Sequence, residues 1–151
     1  MNQLQTMTYD ELVEEFDFLG DWEDQCDLLI DMGFELPKFP DECRTEENRV
    51  HGCQSNVWLI AQPVQGNSLK LDIRADSDAM IVRGLIAVLL TLYSGRTPQE
   101  VLDIDIREKF ARLGLDQHLS SARRNGLNGM VQRVRGLARK CLAETAESGD
   151  E

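Results

Sequence analysis

The feature that most constrains this chain is a period-two alternation near its middle. In residues 69–74 (LKLDIR), leucine and isoleucine alternate with charged residues, the pattern of a strand with one buried face. The apolar segment 57–61 is rich in strand formers, and residues 65–68 supply a turn between the two. Residues 49–51 are expected to add a short strand at one edge. We therefore predict a small three-stranded antiparallel sheet, which needs helices packed against it to be stable.

Helical patterns precede and follow this sheet. Thr8 and Asp21 are N-cap signals for two acidic helices, which together predict a helical N-terminal hairpin. Gly33 is expected to end the second helix. After the sheet, residues 79–93 are apolar nearly all round, and this indicates a buried central helix.

The C-terminal half continues as helices. Thr97 and Asp105 predict the starts of two short ones, and a long last helix carries an apolar stripe through residues 127–141. Helices, then a small sheet, then helices predict an α+β domain with helices packed on the sheet. We expect a single domain over residues 1–144 and a disordered tail at residues 145–151.

The charge of the chain is concentrated at its start. The net charge is −11, and residues 1–50 hold 15 of the 27 acidic residues but 3 of the 16 basic ones. Such a surface repels phosphate backbones, so we expect no nucleic-acid partner. The start lacks the basic-then-apolar order of a signal peptide, and the longest apolar stretch, residues 84–90, is too short to cross a bilayer. A cytoplasmic protein without a membrane partner is predicted.

Four cysteines are present, and they differ in setting. Cys26 and Cys141 lie on apolar helix stripes, where a cysteine packs as a small hydrophobe. Cys43 lies among carboxylates, which disfavour a thiolate. No CxxC pair occurs, and a disulfide framework is not expected in a cytosolic chain of this size.

Cys53 has the setting of a reactive thiol. It lies in a polar segment just before a predicted strand, and the preceding Gly52 permits a tight bend and close approach of another chain. Arg49 and His51 are the nearest charges in sequence, and both favour the thiolate. A zinc site made of Cys43, His51 and Cys53 is an alternative that the residues alone leave open.

Several separated motifs resemble the SufE family, the sulfur acceptors of cysteine desulfurases, over roughly residues 7–143. The matching stretches are Asn48-x-Val50-x-Gly52-Cys53-x-Ser55-x-Val57-Trp58, Asp76-Ser77-Asp78-Ala79-x-Ile81-Val82-x-Gly84-Leu85, Leu92-Tyr93, Thr97-Pro98, Leu119-Ser120 and Ser121-x-Arg123-x-Asn125-Gly126-Leu127-x-x-Met130. The resemblance implies a fold shared with IscU-type scaffolds, in agreement with the predicted α+β class.

The resemblance implies that Cys53 carries sulfur as a persulfide. The chain would act as an accessory sulfurtransferase with a SufS-type cysteine desulfurase and pass sulfur to a SufBCD-type cluster scaffold. Pyridoxal phosphate stays on the desulfurase, so no cofactor or metal is expected on this chain. Since persulfides are easily reduced or oxidised, we expect Cys53 to be partly buried in a loop that opens on docking. A homodimer is compatible with the sequence.

Three supporting residues are predicted around Cys53. Arg123 matches the family's Ser-x-Arg motif and is expected to stabilise a thiolate or persulfide, or else to pair with a carboxylate. Asp78 either holds the Cys53 loop or caps the central helix. His51 favours the thiolate. The alternative functions are a CsdE-like acceptor for a different desulfurase, a non-catalytic desulfurase activator, and a metal-holding scaffold.

Overall fold

The computed structural model describes residues 7–51 and 55–149 of the chain. Gly52, Cys53 and Gln54 lie outside the described residues, so the site predicted at Cys53 is approached through its neighbours. In chain order, the α-helices and strands are α1 (Tyr9–Leu19), α2 (Trp22–Phe34), β1 (Val57–Gln65), β2 (Leu69–Ser77), α3 (Met80–Tyr93), α4 (Pro98–Asp103), α5 (Ile106–Arg112), α6 (Leu115–His118) and α7 (Ser121–Gly149), and a short 3₁₀-helix, Asp41–Cys43, lies between α2 and β1. The predicted α+β class, the helical N-terminal hairpin and the long C-terminal helix are confirmed.

The sheet has two strands within the described residues, not the three expected. β1 and β2 pair antiparallel over all nine residues of each strand. Residues 49–51 contribute only an isolated bridge between Arg49 and Trp58. The amides of Asn48 and Arg49 donate to carbonyls three residues earlier, at 3.2 Å each. Because the chain turns there, only Arg49 of residues 49–51 forms a bridge with β1, and the part of the chain that the structure describes contains no third strand.

Local capping signals place most of the helix starts. Four predicted N-caps are confirmed: Thr8 and Thr97, which form capping boxes, and Asp21 and Asp105, which accept from the third amide of their helices. The start of α3 differs, since its N-cap is Ala79 and no side chain caps it. Asp78 therefore does not cap α3.

Helix α3 forms the centre of the core, as its sequence predicts. Nine of its 14 residues are buried. α2 crosses it at close range, because a Cβ at Gly84 would lie 2.5 Å from the Leu29 carbonyl oxygen and one at Gly33 would lie 2.9 Å from the Gly84 nitrogen. Gly33 was expected to end α2, but the helix runs to Phe34. This glycine instead permits the two backbones to approach.

The last helix packs against both α4 and β1. Buried apolar residues from α1 through α7 belong to one hydrophobic cluster. α7 extends to Gly149, beyond residue 144 where we placed the end of the domain; the disorder of the tail stays a prediction. Within the described ranges, no helix has the length and apolar character needed to cross a membrane.

Candidate functional site

The chain is fixed on both sides of Cys53, which itself lies outside the described residues. The Val50 N–H donates to the Val57 carbonyl at 2.8 Å, and the Leu59 N–H donates to the Asn48 carbonyl at 2.9 Å. Val50 and Val57 are both buried. These contacts join the chain before and after the segment that contains Cys53. We call residues 51–56 the Cys53 segment.

Asp78 holds the downstream end of the Cys53 segment. Its Oδ1 accepts from the Asn56 backbone N–H at 3.1 Å, and its Oδ2 accepts from the Asn56 side-chain amide at 3.0 Å. The Asp78 N–H donates in return to the Asn56 carbonyl at 3.3 Å. Asp78 thus contacts Asn56, three positions after Cys53, and the loop-holding role stays a prediction.

Helix α7 supports the upstream side, and this contact was not predicted. The Arg133 guanidinium donates to the Arg49 carbonyl at 3.4 Å and, in a shorter contact, to the Glu47 carbonyl. One turn earlier, Gly129 faces the same segment, since a Cβ there would lie 3.1 Å from the His51 carbonyl oxygen. A four-residue spacing puts both residues on one helix face. The local sequence does not indicate which part of the chain packs against that helix face.

The basic groups expected to favour a thiolate at Cys53 are paired with a carboxylate. The His51 Nε2 lies 3.0 Å from one Glu46 carboxylate oxygen, and the Arg49 guanidinium lies 3.6 Å from the other. All three side chains are more than a third exposed. Glu46 therefore offsets part of the positive charge that the sequence assigned to this region.

A small cleft of about 50 Å³ lies beside the downstream end of the segment. It is lined by Ser55, by residues of α3 and by the first turns of α7, namely Val82, Leu85, Ala122, Arg123, Gly126, Leu127 and Met130. Arg123 is exposed and provides the cation of this lining. A water molecule occupies roughly 30 Å³ of liquid, so the cleft has room for an atom or two. The structure thus brings Arg123 and Ser55, two residues after Cys53, to the same cleft.

The other cysteines differ in burial. Cys141 is buried, as expected for a packing residue. Cys26 is only partly buried; burial and the nearby Asp27 raise the pKa of its thiol, and Arg123 partly opposes them. Cys43 is also partly buried, and its carbonyl accepts from the Asn48 side chain at 2.9 Å. Cys26 is thus disfavoured as a thiolate.

A cluster that the sequence did not reveal holds the end of β2, close to Asp78. The Asp76 carboxylate lies 2.8 Å from the Arg44 guanidinium and 3.1 Å from the Arg83 Nε. The Arg44 guanidinium also lies 5.2 Å from the centre of the Trp58 ring. Because Asp76 precedes Asp78 by two residues, these contacts fix the strand end from which Asp78 holds Asn56.

No group of three or more His, Cys, Asp and Glu side chains that could hold a metal ion occurs among the described residues. The alternative zinc set includes Cys53 and therefore is not tested by this observation. His118 stacks on Trp22, with ring centres 4.7 Å apart and planes 4° from parallel. Its ring therefore packs against the N-terminal hairpin.

Comparison with known proteins agrees with the resemblance seen in the sequence. The SufE family model, described as an Fe-S metabolism associated domain, matches residues 10–138. An uncharacterized SufE-like protein of Rhizobium meliloti (strain 1021) is 41% identical over 130 residues, covering 85% of this chain and 93% of its own length. A second one, from Rhizobium etli, is 43% identical over 132 residues, covering 86% and 88%.

A solved structure shows the same fold. The solution structure of a hypothetical protein from Thermus thermophilus superposes with a TM-score of 0.72, covering 91% of this chain and 99% of the other, at 24% identity. Since the family model spans most of the α+β domain and includes the Cys53 motif, the chain belongs to the SufE family, whose domain is associated with iron–sulfur metabolism.

Proposed function

We propose that this protein accepts sulfane sulfur from a cysteine desulfurase as a persulfide on Cys53, stimulates that desulfurase and passes the sulfur to a cluster scaffold. The observation that carries the proposal is the SufE-family match over residues 10–138, which includes the Gly-Cys-Gln-Ser motif at residues 52–55. The contacts that fix the chain on both sides of this motif support it.

The reaction is a thiol–persulfide exchange. The Cys53 thiolate attacks the terminal sulfur of the desulfurase persulfide. A new S–S bond forms at Cys53, the S–S bond of the desulfurase breaks, and its cysteine leaves as a thiolate. One sulfur atom moves and charge is conserved, so no external oxidant or reductant is needed. The rate depends on the thiolate fraction at Cys53 and on access to the sulfur.

The cleft beside Ser55 supports the proposal that a persulfide on Cys53 is shielded from solvent. A persulfide is readily reduced or oxidised, so shielding from solvent prolongs its lifetime. The apolar walls from α3 and α7 would give such shielding, and the Arg123 guanidinium would favour a thiolate or persulfide anion. We propose that Cys53 is partly buried in the free protein and that its segment opens on docking.

The proposed partners are a SufS-type desulfurase, which holds the pyridoxal phosphate, and a SufBCD-type scaffold that receives the sulfur. In the proposed reaction this chain needs no cofactor of its own, and it acts in the cytoplasm. The desulfurase supplies the chemistry that releases sulfur from cysteine. This chain contributes an accessible Cys53 thiolate and shields the resulting persulfide from solvent.

Mass spectrometry tests the carrier role directly. The protein is incubated with a SufS-type desulfurase and cysteine without reductant, and the cysteine-containing peptides are separated. We expect a gain of about one sulfur atom on the Cys53 peptide that dithiothreitol removes. Cys53→Ser abolishes the gain. Cys26→Ser, which changes a partly buried cysteine elsewhere, leaves it intact.

The other outcomes assign other roles. No gain at Cys53 with an active desulfurase refutes the carrier role. If Cys53→Ser still stimulates the desulfurase fully, the protein is an activator that works by docking. Stoichiometric zinc in the purified protein, lost in Cys53→Ser, indicates a metal-holding scaffold. Sulfur transfer from a different desulfurase but not from a SufS-type one indicates a CsdE-like acceptor.

A further inference from the structure

A groove of about 980 Å³ lies between the N-terminal hairpin and β2. Pockets of roughly 300–1,000 Å³ hold most small-molecule ligands. The groove meets α3 at Leu90 and Thr91, whereas the cleft beside Ser55 meets the same helix at Val82 and Leu85. At a rise of about 1.5 Å per residue, Val82 and Leu90 lie about 12 Å apart along the helix. The groove is therefore separate from the cleft next to the proposed sulfur-transfer site.

Much of the groove wall is apolar. Leu71, Ile73 and Leu92 line it and also belong to the buried core. Val64 lines it as well and is 52% exposed. Covering such a surface with an apolar group is favourable, because it removes the surface from water. These walls suit the apolar part of a ligand.

Three basic side chains line the groove, those of Lys70, Arg96 and Lys109. None of the three lies within 4 Å of a carboxylate of the described residues. The Lys109 ammonium lies 5.0 Å from the centre of the Tyr9 ring. Arg96 donates from Nε to the Leu92 carbonyl at 2.6 Å, and no described residue accepts from its two terminal nitrogens. In a chain with 27 acidic and 16 basic residues, these cations are available to an anionic ligand.

Lys70 and Arg96 lie at the same end of the groove. The Leu71 N–H donates to the Arg96 carbonyl at 2.8 Å, and Lys70 directly precedes Leu71. Hydrogen bonds from Thr97, and then the charges of Arg96 and Lys70, lower the pKa of the Glu100 carboxyl, so both cations lie near one carboxylate. Glu100 does not line the groove, and it accepts from the Thr97 N–H at 2.9 Å.

The acidic side chains of the lining leave this end positive. The Asp72 carboxylate lies 3.4 Å from the Arg74 Nε and is paired with it. Asp10 and Glu35 belong to the N-terminal hairpin, on the opposite side of the groove from β2. The groove thus combines apolar walls with one cationic end.

We infer that this groove is a second binding site, which takes a small amphipathic carboxylate with its head group at Lys70 and Arg96 and its apolar chain along β2 and α3. The fork of donors on a guanidinium matches the two oxygens of a carboxylate, and bonds between ionised groups are the stronger kind. The site uses no residue of the proposed sulfur transfer, so each proposal can fail without the other.

Nuclear magnetic resonance of the full ¹⁵N-labelled chain at about pH 7, where carboxylates are ionised, tests the inference. Octanoate is titrated as the ligand, 1-octanol as the same chain without the charge, and acetate as the charge without the chain. We expect octanoate to shift the amide signals of Thr91, Ser94 and Gly95 saturably. Its affinity should exceed those of 1-octanol and acetate by about tenfold or more, since each lacks one of the two interactions.

Lys70→Glu tests the cationic end. Lys70 is exposed, so its replacement leaves the core intact. We expect octanoate to bind this variant about tenfold more weakly and 1-octanol to bind it within about twofold of the unmodified protein. Lys140→Glu is the matched control, because Lys140 is exposed on α7 and does not line the groove. It makes the same change in net charge and should leave octanoate binding within about twofold.

Several results would overturn the inference. One is the absence of saturable octanoate shifts at the groove, and another is equal binding of octanoate and 1-octanol, or of octanoate and acetate. Equal weakening by Lys70→Glu and Lys140→Glu would show an effect of net charge alone. Groove signals that move with protein concentration in the absence of ligand would show that a second copy of the chain occupies the groove instead. If Lys70→Glu gives the spectrum of an unfolded chain, Lys70→Gln replaces it under the same criteria.

Discussion

At the scale of single residues, the contacts of Asp78 join the end of β2 to a residue three positions after Cys53. Its carboxylate accepts two hydrogen bonds from Asn56, which lies 22 positions earlier in the chain. The neighbouring Asp76 is held by Arg44 and Arg83. The contacts of Asp76 thus hold the end of β2 in place, two residues from Asp78.

Asp78→Ala should lower the free energy of unfolding by about 1 kcal/mol, since it removes two exposed hydrogen bonds from Asn56. Urea denaturation of Asp78→Ala, Asn56→Ala and the double variant forms a double-mutant cycle. We expect the two effects to be clearly non-additive, because the residues bond to each other. Additive effects would contradict the contact.

At the scale of helices and strands, two glycines on different helices differ in the space around them. At Gly84 of α3, a Cβ would meet the Leu29 carbonyl oxygen of α2 at 2.5 Å. At Gly136 of α7, a Cβ would meet nothing within 4 Å. The same residue type is required at the first position and only lowers helix propensity at the second.

Gly84→Ala should destabilise the protein by about 2–3 kcal/mol, because two helix backbones must separate to admit the methyl group. Gly136→Ala, the control on an open helix face, should stabilise it by about 0.5–1 kcal/mol. Thermal and urea unfolding of both variants measure these changes. A stabilised Gly84→Ala variant would show that α2 and α3 are farther apart than the structure has them.

Sequence patterns predicted the elements well where the determining contacts are local. Capping residues such as Thr8 and Thr97 contact amides three positions away, so their spacing alone predicts the helix starts. The prediction of a third strand was wrong, because its pairing depends on the residue at which the preceding turn ends. Arg133 was missed because its acceptor carbonyls lie 84 and 86 positions away. No local pattern encodes such a distance.

At the scale of the whole molecule, the N-terminal hairpin is joined to helices that follow the sheet. The Tyr9 hydroxyl donates to the Lys109 carbonyl at 2.8 Å. The Asp17 carboxylate accepts two bonds from the Arg112 guanidinium, at 3.1 and 2.6 Å. Both contacts connect α1 with α5 across about 100 residues of chain.

The Asp17 pair should make stability depend on pH. Its bonds to Arg112 lower the pKa of the Asp17 carboxyl. A lowered pKa in the folded state contributes stability above the unfolded pKa, and this contribution is lost as the pH falls through the folded pKa. Asp17→Asn should therefore show a shallower loss of stability than the unmodified protein below about pH 4. Urea denaturation at several pH values, with Glu14→Gln as the control on the same helix, measures the slopes. Parallel slopes would contradict the pairing.

Two residues with fixed backbone contacts, Val50 and Asn56, flank Cys53 at equal distances along the chain, and they limit the reach of Cys53 toward a partner in the proposed reaction. Cys53 is three positions from Val50 on one side and three positions from Asn56 on the other. A fully extended chain spans at most about 3.5 Å per residue. With both ends held, the Cα atom of Cys53 can travel no farther than about 10 Å from either residue. The Cys53 sulfur can therefore reach about 10 Å plus the length of one side chain from Val50 or Asn56. If the persulfide of a desulfurase lies deeper than this in a channel, the desulfurase has to move its own sulfur toward the surface.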